Sequence, residues 1–293
     1  MNSNSKNFIA SVAALQILLY HCWIPVFARG TLLGSIEAFL LAATYVGVDI
    51  FFFLSGYSLA SRPPEDMRSF LKNRAVKILP LFFIAWLIGP FLWFLPSIMV
   101  VYLLFPPLYR ICRKRPALAF ALLMAGWAGL TCFLLGVVFL GSDLGIFLFR
   151  IPIVIVGAYA AGRQVTLNDR QKLIAGVLLL AFGTVLIYRF GYINRLNVPF
   201  RGTFYLTAIP SAIGMILLTD MVTAGWNSRL VERFGSMTLE IYAVQVDCGS
   251  FLVREFFRMT DSRWMTNLLM ITAVVLISLI LKYVNTKLAS ALI

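Results

Sequence analysis

The chain has 293 residues, 61% of them hydrophobic and 13% charged, and a formal net charge of +13; its mean hydropathy is +0.90. An ordinary soluble domain, with roughly a quarter of its residues charged, is excluded, and the composition is that of an integral membrane protein. No stretch is left over for a sizeable soluble domain, and apolar runs of this length must be helices, because hydrocarbon leaves every backbone N–H and C=O to be satisfied within the chain.

Ten such runs follow one another, at about 8–27, 36–60, 78–94, 96–111, 117–140, 145–162, 173–190, 203–221, 237–257 and 265–284. The expected fold is therefore all-α and polytopic, with about ten transmembrane helices forming one domain over residues 1–293. Pro90 and Pro96 make the third and fourth runs readable either as one broken segment or as two spans joined by a tight turn. An even count puts both termini on one side. With that side cytoplasmic, the outer segments hold only Arg29, Arg189, Arg195, Arg201, Arg254, Arg258 and Arg263. Apart from Arg150, which begins an apolar run, every other lysine and arginine falls inside, which predicts an N-in, C-in topology. A basic inner face beside anionic lipid accounts for the net charge without nucleic acid, and leaves room for an anionic ligand arriving from the cytoplasm. The first run is long enough to span and ends in no A-x-A cleavage site, so it is expected to be retained. Cys22, Cys112, Cys132 and Cys248 show no C-x-x-C spacing, and neither a metal site nor a disulfide framework is expected.

Ionisable groups at membrane depth are costly, which makes the few present the functional candidates. His21, in "LQILLYHCWIP", is the only histidine. It is expected about 20 Å along the first span, and a buried imidazole is neutral, the state a general base needs. A helix-packing histidine, or an interfacial one beside Trp23, fits the same pattern. Asp49, in "YVGVDIFFFLSGYSLA", requires a histidine, an arginine or a cluster of hydroxyls as partner, with Ser55 one candidate member of such a set. Arg150 either snorkels to the interface or faces a cavity. Glu240 and Asp247 are seven apart, on nearly one helix face with Gln245 between them, which points to a polar cavity rather than lipid, or else to a Glu240 close enough to the inner boundary to be solvated. Arg74 and Lys77, at i and i+3 before Pro80, make a paired cation suited to phosphates, or a plain positive-inside cluster.

Several of these stretches resemble the membrane acyltransferase family 3, whose members transfer acyl groups, usually acetyl, from coenzyme A to carbohydrates. The first helix ends in "AALQILLYH". The second carries "VDIFFFLSGY", close to the family's G-V-D-x-F-F-x-x-S-G-F. The following "FLKNRAVKILP" is similar to R-x-x-R-I-x-P, and "LWFLPSIMVVYLLFPPLYRI" looks like a helix of the polysaccharide-modifying branch with its tryptophan, tyrosine and proline. "FRIPIVIVGAYAAG" and "GSMTLEIYAVQ" match later signatures more weakly.

The resemblance implies a ten-span fold in the bacterial inner membrane and an acyl, most simply acetyl, transfer to a hydroxyl of a cell-surface polysaccharide or lipid-linked saccharide. It makes His21 the general base, with Asp49 to orient it. Arg74 and Lys77 would hold acetyl-CoA, a co-substrate rather than a bound cofactor, together with Ser55 and Arg150 as polar members of the cavity. Trp93 and Tyr102, with Glu240, Gln245 and Asp247, are assigned to the acceptor. Three departures stand out. The arginine expected eleven residues before the histidine is Ala10, for which Asn7, on nearly the same face one turn lower, and Lys6 are the available substitutes. The second arginine of R-x-x-R is Lys77, and a histidine expected in the ninth span is Gln245. Ala10 and Gln245 also leave open a non-catalytic member serving a glycan assembly complex, and ten spans with internal carboxylates describe saccharide transporters or flippases too. Association with such assembly proteins, or with further copies of the chain, is compatible with each reading.

Overall fold

The computed structural model describes residues 1, 3–88, 94–112, 114–137, 142–163, 166–193, 203–223 and 228–291. The described residues are mostly helical, with no strand among them: α1 (Ser3–Cys22), α2 (Leu32–Ala43), α3 (Gly47–Ser61), α4 (Met67–Ile88), α5 (Phe94–Cys112), α6 (Pro116–Val137), α7 (Ser142–Leu148), α8 (Ile151–Gly162), α9 (Asp169–Ile187), α10 (Ala208–Val222), α11 (Arg229–Ser236), α12 (Thr238–Thr260) and α13 (Arg263–Ala291). In their described parts, the ten apolar runs coincide largely, though not throughout, with these helices. Among the described residues, six segments are long and apolar enough to cross a membrane: Leu32–Ser61, Pro116–Leu134, Gly145–Gly162, Asp169–Phe190, Tyr205–Val222 and Arg263–Ser290. The chain is thus a multi-pass, all-helical membrane protein. The helices outside that set are diluted by polar groups: Lys6, Asn7, Gln16 and His21 on α1; Lys72, Arg74 and Lys77 on α4; Glu240, Arg254, Glu255 and Arg258 on α12.

Three helix ends depart from the sequence reading, each for a local reason. The first helix runs from Ser3 to Cys22 rather than to residue 27, because Pro25 has no N–H to continue the ladder and its ring keeps Ile24 out of the helical region. The third begins at Met67, eleven residues before the apolar run: Asp66 caps it, accepting from Arg68 N at 2.9 Å and Ser69 N at 3.2 Å. The run 145–162 is broken into α7 and α8 at Phe149–Arg150.

The chain divides into two compact units, Met1–Gly47 with Lys72–Leu95 and Thr223–Ile293, and Val48–Leu71 with Pro96–Val222. In the first, α1 is the hub. It packs on α2, α11, α12, α13 and a 3-10 turn at Thr44–Val46, and small residues line its contacts: Gly47 faces Ala13 and Ile17, Gly235 faces Asn7 and Ser11, and Gly249 faces Cys22.

In the second unit α9 packs on α10 and α6 on α8, while α3 and α8 cross with their backbones in contact. A Cβ at Gly56 would strike the Val154 carbonyl, and one at Gly157 would strike the Phe53 carbonyl and approach Tyr57 N to 3.1 Å. Since the obstacle is backbone on both sides, Gly157→Ala is expected to lower thermal stability by about 1–3 kcal/mol. Gly129→Ala, on α6 with nothing within 4 Å of its built Cβ, is the control: it is expected to be neutral or stabilising, alanine being the better helix former by about 1 kcal/mol. Detergent-solubilised thermal unfolding of the two variants measures the difference.

Candidate active site

In the first unit the focus is the end of α1. His21 lies in the last turn of the helix, one residue from its end, and its side chain is exposed. This corrects the expectation of a buried imidazole within a longer span, and the argument from burial to a neutral ring does not apply. Its flanks are fixed. The Tyr20 ring lies edge-on to the imidazole at 5.0 Å and edge-on to Tyr45 at 5.2 Å, and Cys22, on the other side, is buried against Gly249.

Beyond Cys22 the chain leaves the helix as a strap, residues 23–27, whose polar groups are taken up by two other helices. Glu37 on α2 accepts from Trp23 Nε1 at 2.9 Å, from Val26 N at 2.9 and 3.0 Å and from Phe27 N at 3.0 Å. From α13, Asn267 Oδ1 accepts Ile24 N at 2.8 Å while its Nδ2 donates to Ile24 O at 2.9 Å, and Arg263 donates to Pro25 O at 3.0 Å. Sequence reasoning missed Glu37 and Asn267. The rule that singled out Asp49 would have found Glu37, a lone carboxylate within the apolar stretch 36–60.

At the opposite end of α1, Ser11 Oγ lies 2.9 Å from Asn7 O and 3.0 Å from Val231 O, so α11 sits against the helix at the level of Ala10. Arg74 and Lys77 lie within α4, not in a loop as the sequence suggested; Arg74 is half-buried and Lys77 exposed. Asn285 of α13 donates to Lys77 O and to Glu240 Oε1, both at 3.2 Å, and Lys282 stands 3.8 Å from the same carboxylate and donates to Ser236 O at 2.8 Å. Glu240 is therefore buried and charge-paired on the α12–α13 seam, with its second oxygen lacking a hydrogen-bond partner among the described residues. Gln245, also buried, has neither amide atom so paired. An orphaned amide in a bundle is a place for water or a ligand group. Trp93 and the side chain of Asp247 lie outside the described residues.

The second unit brings together Asp49 of α3 and Arg150, at the α7–α8 break. Arg150 Nε donates to Asp49 Oδ1 at 3.0 Å, and both side chains are buried, at 4% and 1% exposure. The guanidinium also stacks over the Tyr205 ring, 4.5 Å from its centroid. Of the partners that the sequence allowed Asp49, this is the arginine, and Arg150 does not snorkel. The break itself is supported: Trp127 Nε1 donates to Leu148 O at 2.8 Å, taking a carbonyl that the interrupted helix has released. Asp49 Oδ2 has no hydrogen-bond partner among the described residues and is an acceptor open to a hydroxyl. Ser55 Oγ instead donates to Phe51 O within its own helix at 2.9 Å, and Tyr102 packs edge-on to Phe70 at 5.8 Å.

Chemically, the first unit offers an exposed imidazole on a fixed helix end, and the second a desolvated guanidinium oriented by a carboxylate. A family model described as an acyltransferase domain matches residues 11–92 and 89–285. No curated protein and no solved structure matches the chain.

Proposed function

Since the chain belongs to the membrane acyltransferase family 3, and is thus an acyltransferase, we propose that it moves an acetyl or similar acyl group from acyl-CoA to a hydroxyl of a cell-surface polysaccharide or lipid-linked saccharide. The setting proposed is the bacterial inner membrane, with about ten spans and both termini in the cytoplasm. The observation that carries the mechanism is His21. It is the only imidazole in the chain, it is exposed, and its helix end is pinned from both sides.

In this mechanism His21 takes the proton of the acceptor hydroxyl as that oxygen attacks the thioester carbonyl. The C–S bond breaks, the ester forms, and the CoA thiolate leaves with the proton. The Asp49–Arg150 pairing supports a role for Asp49 in holding the guanidinium, which leaves Arg150 a fixed and desolvated cation. Arg74 and Lys77 would meet the donor phosphates at the cytoplasmic side, with Asn7 of α1 carried over as a further donor contact. The unpaired amide of Gln245 and the open oxygen of Glu240 are the groups suited to acceptor hydroxyls, with Trp93, Tyr102 and Asp247 carried over from the resemblance.

Purified enzyme in proteoliposomes, given acyl-labelled acyl-CoA inside and saccharide acceptor outside, tests the reading. Ester formation with stoichiometric release of thiol is expected, and movement of saccharide across the bilayer without ester would overturn it in favour of transport. The donor assignment has its own measurement. Arg74→Ala is expected to raise KM for acyl-CoA about 10- to 100-fold with kcat little changed, as loss of a charge-assisted contact of about 1.5–3 kcal/mol requires. Lys77→Arg, which restores a bidentate fork, is expected to lower it.

A further inference from the structure

We infer that Glu37 is a positioning residue for His21: by gathering the strap amides it sets where the imidazole stands. Pro25 ends α1 and leaves the amides of the strap without intrahelical partners, and near a membrane such groups have to be satisfied by protein. One carboxylate takes the Trp23 indole and the backbone N–H groups of Val26 and Phe27. Asn267 holds both the N–H and the C=O of Ile24, as a neighbouring strand would, and Arg263 holds Pro25 O. The strap is also wedged by aromatic contacts, with Trp23 and Phe27 each edge-on to Trp264 at 6.2 Å.

The consequence for His21 is geometric. It is two residues upstream of Trp23 and belongs to the last turn of α1, where Trp23 N still bonds to Leu19 O at 3.2 Å. The indole anchored on Glu37 and the helical turn carrying the imidazole therefore form one rigid piece. Without the carboxylate, three donors of the strap lose their acceptor, and its hydrogen-bonded anchorage shifts to the α13 side, to Asn267 and Arg263. The imidazole is carried by that backbone, so where it stands depends on where the strap holds the end of α1. A general base acts only within hydrogen-bond reach of its proton, and misplacement by an ångström is enough to lose most of its effect.

The inference rests on the reading of His21 as the base, and the experiment separates the two. In Glu37→Ala, kcat is expected to fall about 10- to 100-fold with KM for acyl-CoA unchanged. Glu37→Gln, whose carbonyl oxygen can still accept from the indole and one amide, is expected to recover most of the loss. Because the chain has a single histidine, histidine-selective labelling gives one imidazole NMR signal. That signal is expected to shift and broaden in Glu37→Ala and to return toward its original position in Glu37→Gln. Unchanged kcat and an unchanged imidazole signal in folded Glu37→Ala overturn the inference. If Glu37→Ala does not fold, Glu37→Asp, whose shorter side chain draws the carboxylate back from the strap amides, carries the same test: it is expected to move the signal, and an unmoved signal is equally fatal. Retained activity in His21→Ala would overturn the base assignment instead, leaving the NMR arm to decide whether Glu37 positions the ring.

Discussion

Arg150→Leu is expected to destabilise the enzyme by about 3–5 kcal/mol, because it leaves the Asp49 carboxylate buried with no counter-charge. The pair is nearly inaccessible on both sides, at 4% and 1% exposure, and is joined by a direct 3.0 Å bond. The stacking of the guanidinium on Tyr205 is lost as well, worth about 0.5–2 kcal/mol. The double variant Asp49→Leu/Arg150→Leu is expected to regain most of the stability, since two apolar side chains replace a pair whose desolvation cost is comparable to its attraction. Thermal unfolding in detergent of the two single variants and the double one measures this. Activity then separates structure from chemistry: a stable double variant that transfers no acyl group makes the pair a participant in the reaction, whereas a stable and active one makes it a fastener of α3 to α8.

Which residues would matter was easier to read than how they pair. Asp49 and Arg150 were each visible as charges in apolar runs, but their meeting across 101 positions depends on the crossing of α3 and α8. That crossing is set by Gly56 and Gly157, whose missing side chains let backbone meet backbone. A sequence shows the two glycines without saying which helices they bring together. The helix ends were misjudged for a related reason. Apolarity marks where lipid can be, whereas Asp66 and Pro25 mark where the backbone ladder starts and stops, and the two do not coincide.

The resemblance singled out His21, yet gave no hint of the strap that follows it. Glu37, Asn267 and Arg263 act through backbone atoms of residues 23–27, and contacts of that kind depend on chain path rather than on side-chain chemistry. Gln245 is the reverse case. Its substitution for an expected histidine read as a loss, and it is found buried with both amide atoms unpaired among the described residues, which suits a hydrogen-bonding site more than a degenerate one.

The sharpest expected result is at His21 itself. His21→Ala should lower kcat by about 10²- to 10⁴-fold, the range in which a positioned general base contributes. KM for acyl-CoA should hold, because in the proposed reading the donor phosphates meet Arg74 and Lys77 of α4 rather than His21. Stability should hold too, within about 0.5 kcal/mol, because the side chain is exposed and alanine suits the last helical turn at least as well as histidine. This combination is what a helix-packing histidine cannot produce: truncating a packing residue costs stability first and activity only in proportion. His21→Gln sharpens the distinction, since a glutamine can hydrogen-bond the acceptor hydroxyl but cannot take its proton. Ester formation and thiol release measured together on the purified enzyme decide it, and a glutamine variant that retained wild-type kcat would remove proton transfer from the role of this residue.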